Sequence, residues 1–206
     1  MAILSTNANR MELNRLKKKL QTTKKGYNLL KSKVDGLMLE FLKLSKQTLF
    51  LKKQITKNIN AANFKLNLAK AKTSKQDVLN KLNPMDSKIK IKLSNSSILG
   101  VKTLNFEILE KTQLNENLNY SFFSTSVFLN FAVEEYIKIT FNLVELAEKE
   151  KNILILANEI KKTRKRVNAI EHILIPNLTQ TIRFISIKLE ENERNSLARL
   201  KRVNLS

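Results

Sequence analysis

The chain has 206 residues and a formal charge of +20, from 38 Lys and Arg against 18 Asp and Glu. Three glycines and two prolines cannot supply the frequent turns of a sandwich, a barrel or a doubly wound sheet. Without a single Cys there is no disulfide, thiolate metal site or Cys nucleophile, and one histidine, His172, cannot build a multi-His centre. No run approaches 18 apolar residues, and the short apolar start at Ala2, Ile3 and Leu4 does not make a signal peptide. The expectation is a soluble intracellular protein made mostly of long helices.

The N-terminal segment carries the clearest pattern. Alternating steps of three and four residues from Leu13 pass through Leu16, Leu20, Thr23, Tyr27, Leu30, Val34, Leu37, Phe41, Leu44, Thr48, Leu51 and Ile55. All but the two threonines are apolar. This 3-4 spacing is the mark of a left-handed coiled-coil seam, and it holds for about six heptads. The stripe thins through Ala62, Leu66 and Ala69 before Pro84. A helix from about residue 10 to about residue 80 is expected, on the order of 100 Å long at its standard rise.

The middle of the chain reads differently. Lys88 to Leu93 alternates charged and apolar residues as a half-buried strand does. Ser94, Asn95, Ser96 and Ser97 read as a turn, and Ile98 to Phe106 as the returning strand. A short β-hairpin is expected, which must pack on something because an isolated hairpin is marginal in water. Phe122, Phe123, Phe128 and Phe131 follow, as a plug at the end of the helices or as a docking surface for another protein.

The C-terminal segment repeats the helical stripe with Tyr136, Ile139, Leu143, Leu146, Ile153, Ala157, Ile160 and Val167. The register slips near Ile170, continues through Leu174, Leu178, Ile182, Ile185 and Leu189, and resumes at Leu197 and Leu200. Pro176 lies inside the pattern and is expected to bend the helix. The simplest architecture is mainly α, an antiparallel two-helix coiled coil with a middle β-hairpin. Residues 1–84 supply the first helix, 85–124 the middle region and 125–206 the second helix, as one elongated domain.

Charge is uneven along the chain. Residues 1–84 hold 19 basic and 4 acidic residues, residues 85–124 hold 5 and 4, and residues 125–206 hold 14 and 10. Antiparallel pairing brings Glu190, Glu191 and Glu193 toward the basic N-terminus, where exposed pairs contribute only a few tenths of a kcal/mol. Lysines surround the seam instead of forming one patch interleaved with aromatics, so nucleic-acid binding is not expected. There is no P-loop and no nucleophile elbow. Glu134–Glu135 and Glu190–Glu191 are adjacent in sequence and so diverge by about 100° on a helix. No catalytic residue, cofactor site or metal site is expected. A coiled-coil scaffold or adaptor explains the heptads equally well.

Specific residues narrow the choice. The run Arg166-Val167-Asn168-Ala169-Ile170-Glu171-His172-Ile173-Leu174-Ile175-Pro176 resembles the signature of the D subunit of rotary V-type and A-type ATPases. Leu143 to Ala147 before it, Thr181-Ile182, Leu189-Glu190-Glu191, Glu193-Arg194 and Arg199-Leu200-Lys201 after it are similar to the same family. So are Arg10 to Leu13 and Gly26 to Lys33. The resemblance implies a non-catalytic central-stalk rotor that carries torque between the catalytic head and the ion-translocating membrane ring. Its implied partners are the F subunit, the A/B-type head subunits and the socket subunit. It touches the membrane only indirectly, on the cytoplasmic side. Arg164, Lys165 and Arg166 are candidate contacts to acidic loops of the head. Phe122, Phe123 and Phe128 are candidate partner contacts, and Pro176 the candidate bend of an eccentric shaft.

Overall fold

The computed structural model describes residues 7–72, 90–109 and 126–203. Among these residues, five regular elements and one π-turn follow in order. They are helix α1 (Arg10–Lys72), strands β1 (Ile91–Ile98) and β2 (Val101–Ile108), helix α2 (Val127–Ala169), a π-turn (Ile170–Leu174) and helix α3 (Ile175–Val203). The mainly helical class with a central two-stranded hairpin is the one expected from the sequence. The expected N-terminal strand residues Lys88 and Ile89, and the segment around Pro84, lie outside the described residues. The chain divides into two compact units, Met1–Gly36 with Glu159–Ser206, and Leu37–Asn158.

In the first unit, α1 packs antiparallel to α3. Leu16, Leu178 and Ile185 are buried together, and Leu13, Leu20, Ile182 and Leu189 close around them. Spacings of three, four and seven put these side chains on single helix faces, so their burial follows from the period of the sequence. Arg10 donates to Glu193 Oε1 at 2.5 Å beyond this cluster. Thr163 and Thr181 are also buried. The Thr181 hydroxyl is satisfied by donating to the Asn177 carbonyl at 2.7 Å, which lets a polar residue occupy a core position.

The π-turn gives the register slip near Ile170 a structural cause. The Ile175 N–H donates to the Ile170 carbonyl, a five-residue step in place of the usual four. The wider step rotates the following residues relative to the preceding helix, so the apolar stripe has to shift. Pro176 follows at the second residue of α3. Proline lacks an N–H and crowds the carbonyl four residues back, and a π-turn on its N-terminal side relieves that crowding. The helix continues through the proline into α3 with a trans backbone.

In the second unit, α1 packs antiparallel to α2. Ile55, Ala62, Ile139 and Leu146 form one buried cluster, with Leu51, Ile59 and Tyr136 against it. Ala69 and Leu129 form another, with Leu66, Phe128 and Val133. Small residues at 62 and 69 are fully buried, so the thinning of the stripe after Ile55 reflects smaller side chains and not a lost face. Lys65 donates to Glu135, and Tyr136 donates to Asn63.

The hairpin departs from expectation in its turn. Ser94 to Ser97 belong to β1, where they pair with Asn105, Leu104, Thr103 and Lys102. The chain reverses at Leu99–Gly100, which have φ of 50° and 77°. Two successive positive φ values define the tight turn whose twist matches that of paired strands. Gly100 meets this requirement freely, and it outweighed the polar cluster that the sequence offered as a turn. Serine and asparagine fit β1 because that strand is largely exposed.

Candidate functional site

The functional surface expected from the sequence is the seam, and its residues divide between the units. In the first unit Leu16, Val34, Ile160 and Val167 are buried, while Leu13, Leu20, Tyr27 and Leu30 are half-buried. In the second unit Leu37, Ile55, Ile139 and Leu146 are buried, and Phe41, Leu44, Leu51 and Ile153 are half-buried. Leu143 shares the helix face of Ile139 and Leu146 by spacing, yet is 42% exposed and does not join their cluster. Leu156, fully buried, was outside the predicted seam. It lies three residues after Ile153 and four before Ile160, and Thr163 and Val167 continue the 3-4 spacing, so a count stepping through Leu156 in place of Ala157 finds it.

Arg164, Lys165 and Arg166 are all exposed on the last turns of α2. Phe128 is half-buried and packs on Ala69 and Leu129, with Lys72 Nζ 4.5 Å from its ring centre. Phe122 and Phe123 lie outside the described residues. Pro176 is half-buried. His172, in the π-turn, is exposed.

Two residues not singled out in the sequence fasten the hairpin. Asn152 Oδ1 accepts from the Leu104 N–H at 2.9 Å, and its Nδ2 donates to the Leu104 carbonyl at 2.8 Å. Glu148 Oε2 accepts from the Phe106 N–H at 3.0 Å. Residues four apart on α2 thus present one donor and two acceptors to the free edge of β2. They stand in for a third strand. An open edge invites pairing with other chains, and covering it removes that hazard. Val101 and Thr103 are buried, and Ser96 and Thr103 share a hydroxyl hydrogen bond of 2.6 Å. The hairpin, expected to need something to pack on, is held against α2 by this latch.

Ion pairs decorate both units. Arg10 and Glu193 are 76% and 53% exposed, so their attraction is screened by water. The hydrogen bond to Glu193, then its charge, raises the Arg10 guanidinium above its ordinary value. In the second unit Lys52 faces Glu150 at 3.9 Å across an open groove of ≈ 320 Å³ between Leu49 and Leu154. Among the described residues no helix is long and apolar enough to cross a membrane.

These elements define a helix-pair protein whose two ends pack on each other and whose middle carries a latched β-hairpin. Residues 12–204 match the family described as the D subunit of ATP synthase. The chain is 38% identical to the V-type ATP synthase D subunit of Acetivibrio thermocellus, over 98% of this chain and 92% of that protein. It is 38% identical to the protein of the same name from Clostridium novyi, covering 98% and 95% of the two. The corresponding V-type ATP synthase protein of Fusobacterium nucleatum is 36% identical, covering 98% and 96%. The chain belongs to the ATP synthase D-subunit family, the central-stalk components of rotary ATPases.

Proposed function

We propose that this chain is the rotor shaft of a V/A-type ATPase, and that it catalyses nothing itself. Torque transmission is the general role of its family. The observation that carries the reading is the family match over 12–204, which takes in both terminal helices and the hairpin. The antiparallel packing of Leu16 with Leu178 and Ile185 supports it. Two helices sharing such a seam resist twisting better than one, because deformation must unseat interlocked side chains.

In this reading residues 1–84 and 125–206 make the shaft, and residues 85–124 form a side arm below the head. The seam residues supply its stiffness. The shaft enters the A/B-type catalytic head, binds the F subunit alongside, and meets the socket subunit that leads to the membrane ring. It is peripheral, on the cytoplasmic side. Arg164, Lys165 and Arg166 reach acidic loops of the head, and Phe122, Phe123 and Phe128 serve partner contacts. Pro176 sets an eccentric bend. An asymmetric shaft favours different catalytic-site conformations by differential contact, and only by as much as those contacts differ.

Co-expression with the head subunits and a candidate F subunit tests this. The expected product is one assembly containing a single copy of this chain, whose ATP hydrolysis drives rotation of a bead attached to it. A chain that stays unassembled, or a head that turns over without moving the bead, refutes the proposal. Replacing Arg164, Lys165 and Arg166 together with Gln weakens head association in a salt-dependent way.

A further inference from the structure

The buried seam of the first unit is interrupted. On α1 buried side chains stop at Leu16 and resume at Val34; on the facing segment they stop at Val167 and resume at Leu178. Farther along α1, Thr48, Ile55, Ala62 and Ala69 give one buried residue in each heptad. The stretch of α1 with no fully buried side chain, residues 17–33, spans roughly 25 Å at the standard helical rise. Composition does not explain it. Leu20, Tyr27 and Leu30 hold seam positions there yet are only half-buried, and Leu29 and Ile173 are 73% and 61% exposed.

Both strands of the pair carry a backbone irregularity at this level. On α1 it is Gly26. A Cβ placed there would meet nothing within 4 Å, so packing does not require glycine, and the residue simply weakens the helix. Just before it, the hydroxyls of Thr22 and Thr23 donate to the carbonyls of Lys18 and Lys19, a bonding pattern that often bends helices. On the facing segment the irregularity is the π-turn followed by Pro176. Leu20 and Ile182 belong to one cluster, and Gly26 lies as far beyond Leu20 as Pro176 lies before Ile182. Antiparallel stepping therefore sets the glycine and the proline side by side.

We propose that this level is a compliant joint built into the helix pair. Bending and local opening concentrate where the seam is thin and both backbones are weakened. The Leu16–Leu178–Ile185 cluster below it stays seated. Low local stability has this physical content: few buried apolar contacts and more exposed backbone hydrogen bonds. The joint is independent of the proposed function and stands whether or not the chain rotates, since its tests read only the chain's own backbone.

Hydrogen exchange on the full chain is the test. Amides of 17–33 and 168–177 are expected to exchange at least tenfold faster, relative to their intrinsic rates, than those of 48–69. Gly26→Ala slows exchange about fivefold, the factor equivalent to glycine's helix cost, and does so on residues 168–177 as well as on α1. Pro176→Ala produces the reciprocal slowing on residues 20–30. Protection equal to that of 48–69 overturns the proposal, as does slowing confined to the substituted helix. A second readout does not depend on exchange. The chain has no Cys, so spin labels at Lys25 and Glu171 can be compared with labels at Arg15 and Lys188. The first pair gives the broader distance distribution; equal widths refute the joint.

Discussion

Asn152→Ala isolates the hairpin latch. The substitution removes both hydrogen bonds to Leu104 while keeping a good helix former in α2. Asn152 is 8% exposed, so the N–H and carbonyl of Leu104 lose partners where water has poor access. An abandoned buried polar group costs about 1–3 kcal/mol. Leu104 is only half-buried, so partial hydration places the total near the lower middle of that range, about 2 kcal/mol. This corresponds to about a thirtyfold shift toward an undocked hairpin. The Leu104 and Phe106 amides should exchange faster by that factor, while the α1 amides around Ile55 stay unchanged. Glu148→Gln retains an acceptor oxygen for the Phe106 N–H and should move exchange only slightly. If Leu104 exchange is the same in Asn152→Ala and the parent chain, the latch does not hold the hairpin.

Three further outcomes follow from the packing. Leu178→Ala empties a fully buried site in the first unit and should cost about 2–5 kcal/mol in denaturant unfolding; a loss under about 1 kcal/mol would mean that the cluster collapses around it. Leu99→Asn places a residue that tolerates positive φ at the first position of the turn, and exposed Leu99 gives up little packing. It should stabilise the hairpin by about 1 kcal/mol, read as slower exchange across β1 and β2. Arg10→Gln should leave the melting temperature unchanged at about 0.15 M salt, because the pair with Glu193 is exposed; a drop of several degrees would show that the pair holds the helix ends together.

The sequence alone determined the helices and their faces. A 3-4 apolar repeat can be buried only by a helix with a matching partner, so Leu16, Val34, Ile55, Ile139 and Ile160 were legible as core from their spacing. The family, too, was legible from the run around Pro176. Tertiary structure decided what local pattern cannot encode. The turn sits at Leu99–Gly100 because strand pairing demands positive φ there, whereas the serine cluster met no such demand. Asn152 became a latch only because β2 lies against α2, and nothing in the sequence distinguishes it from the chain's many other asparagines. The slip near Ile170 was visible as an offset in the apolar stripe. That a π-turn produced it, and that Pro176 lies level with Gly26, depends on which residues face each other across the pair.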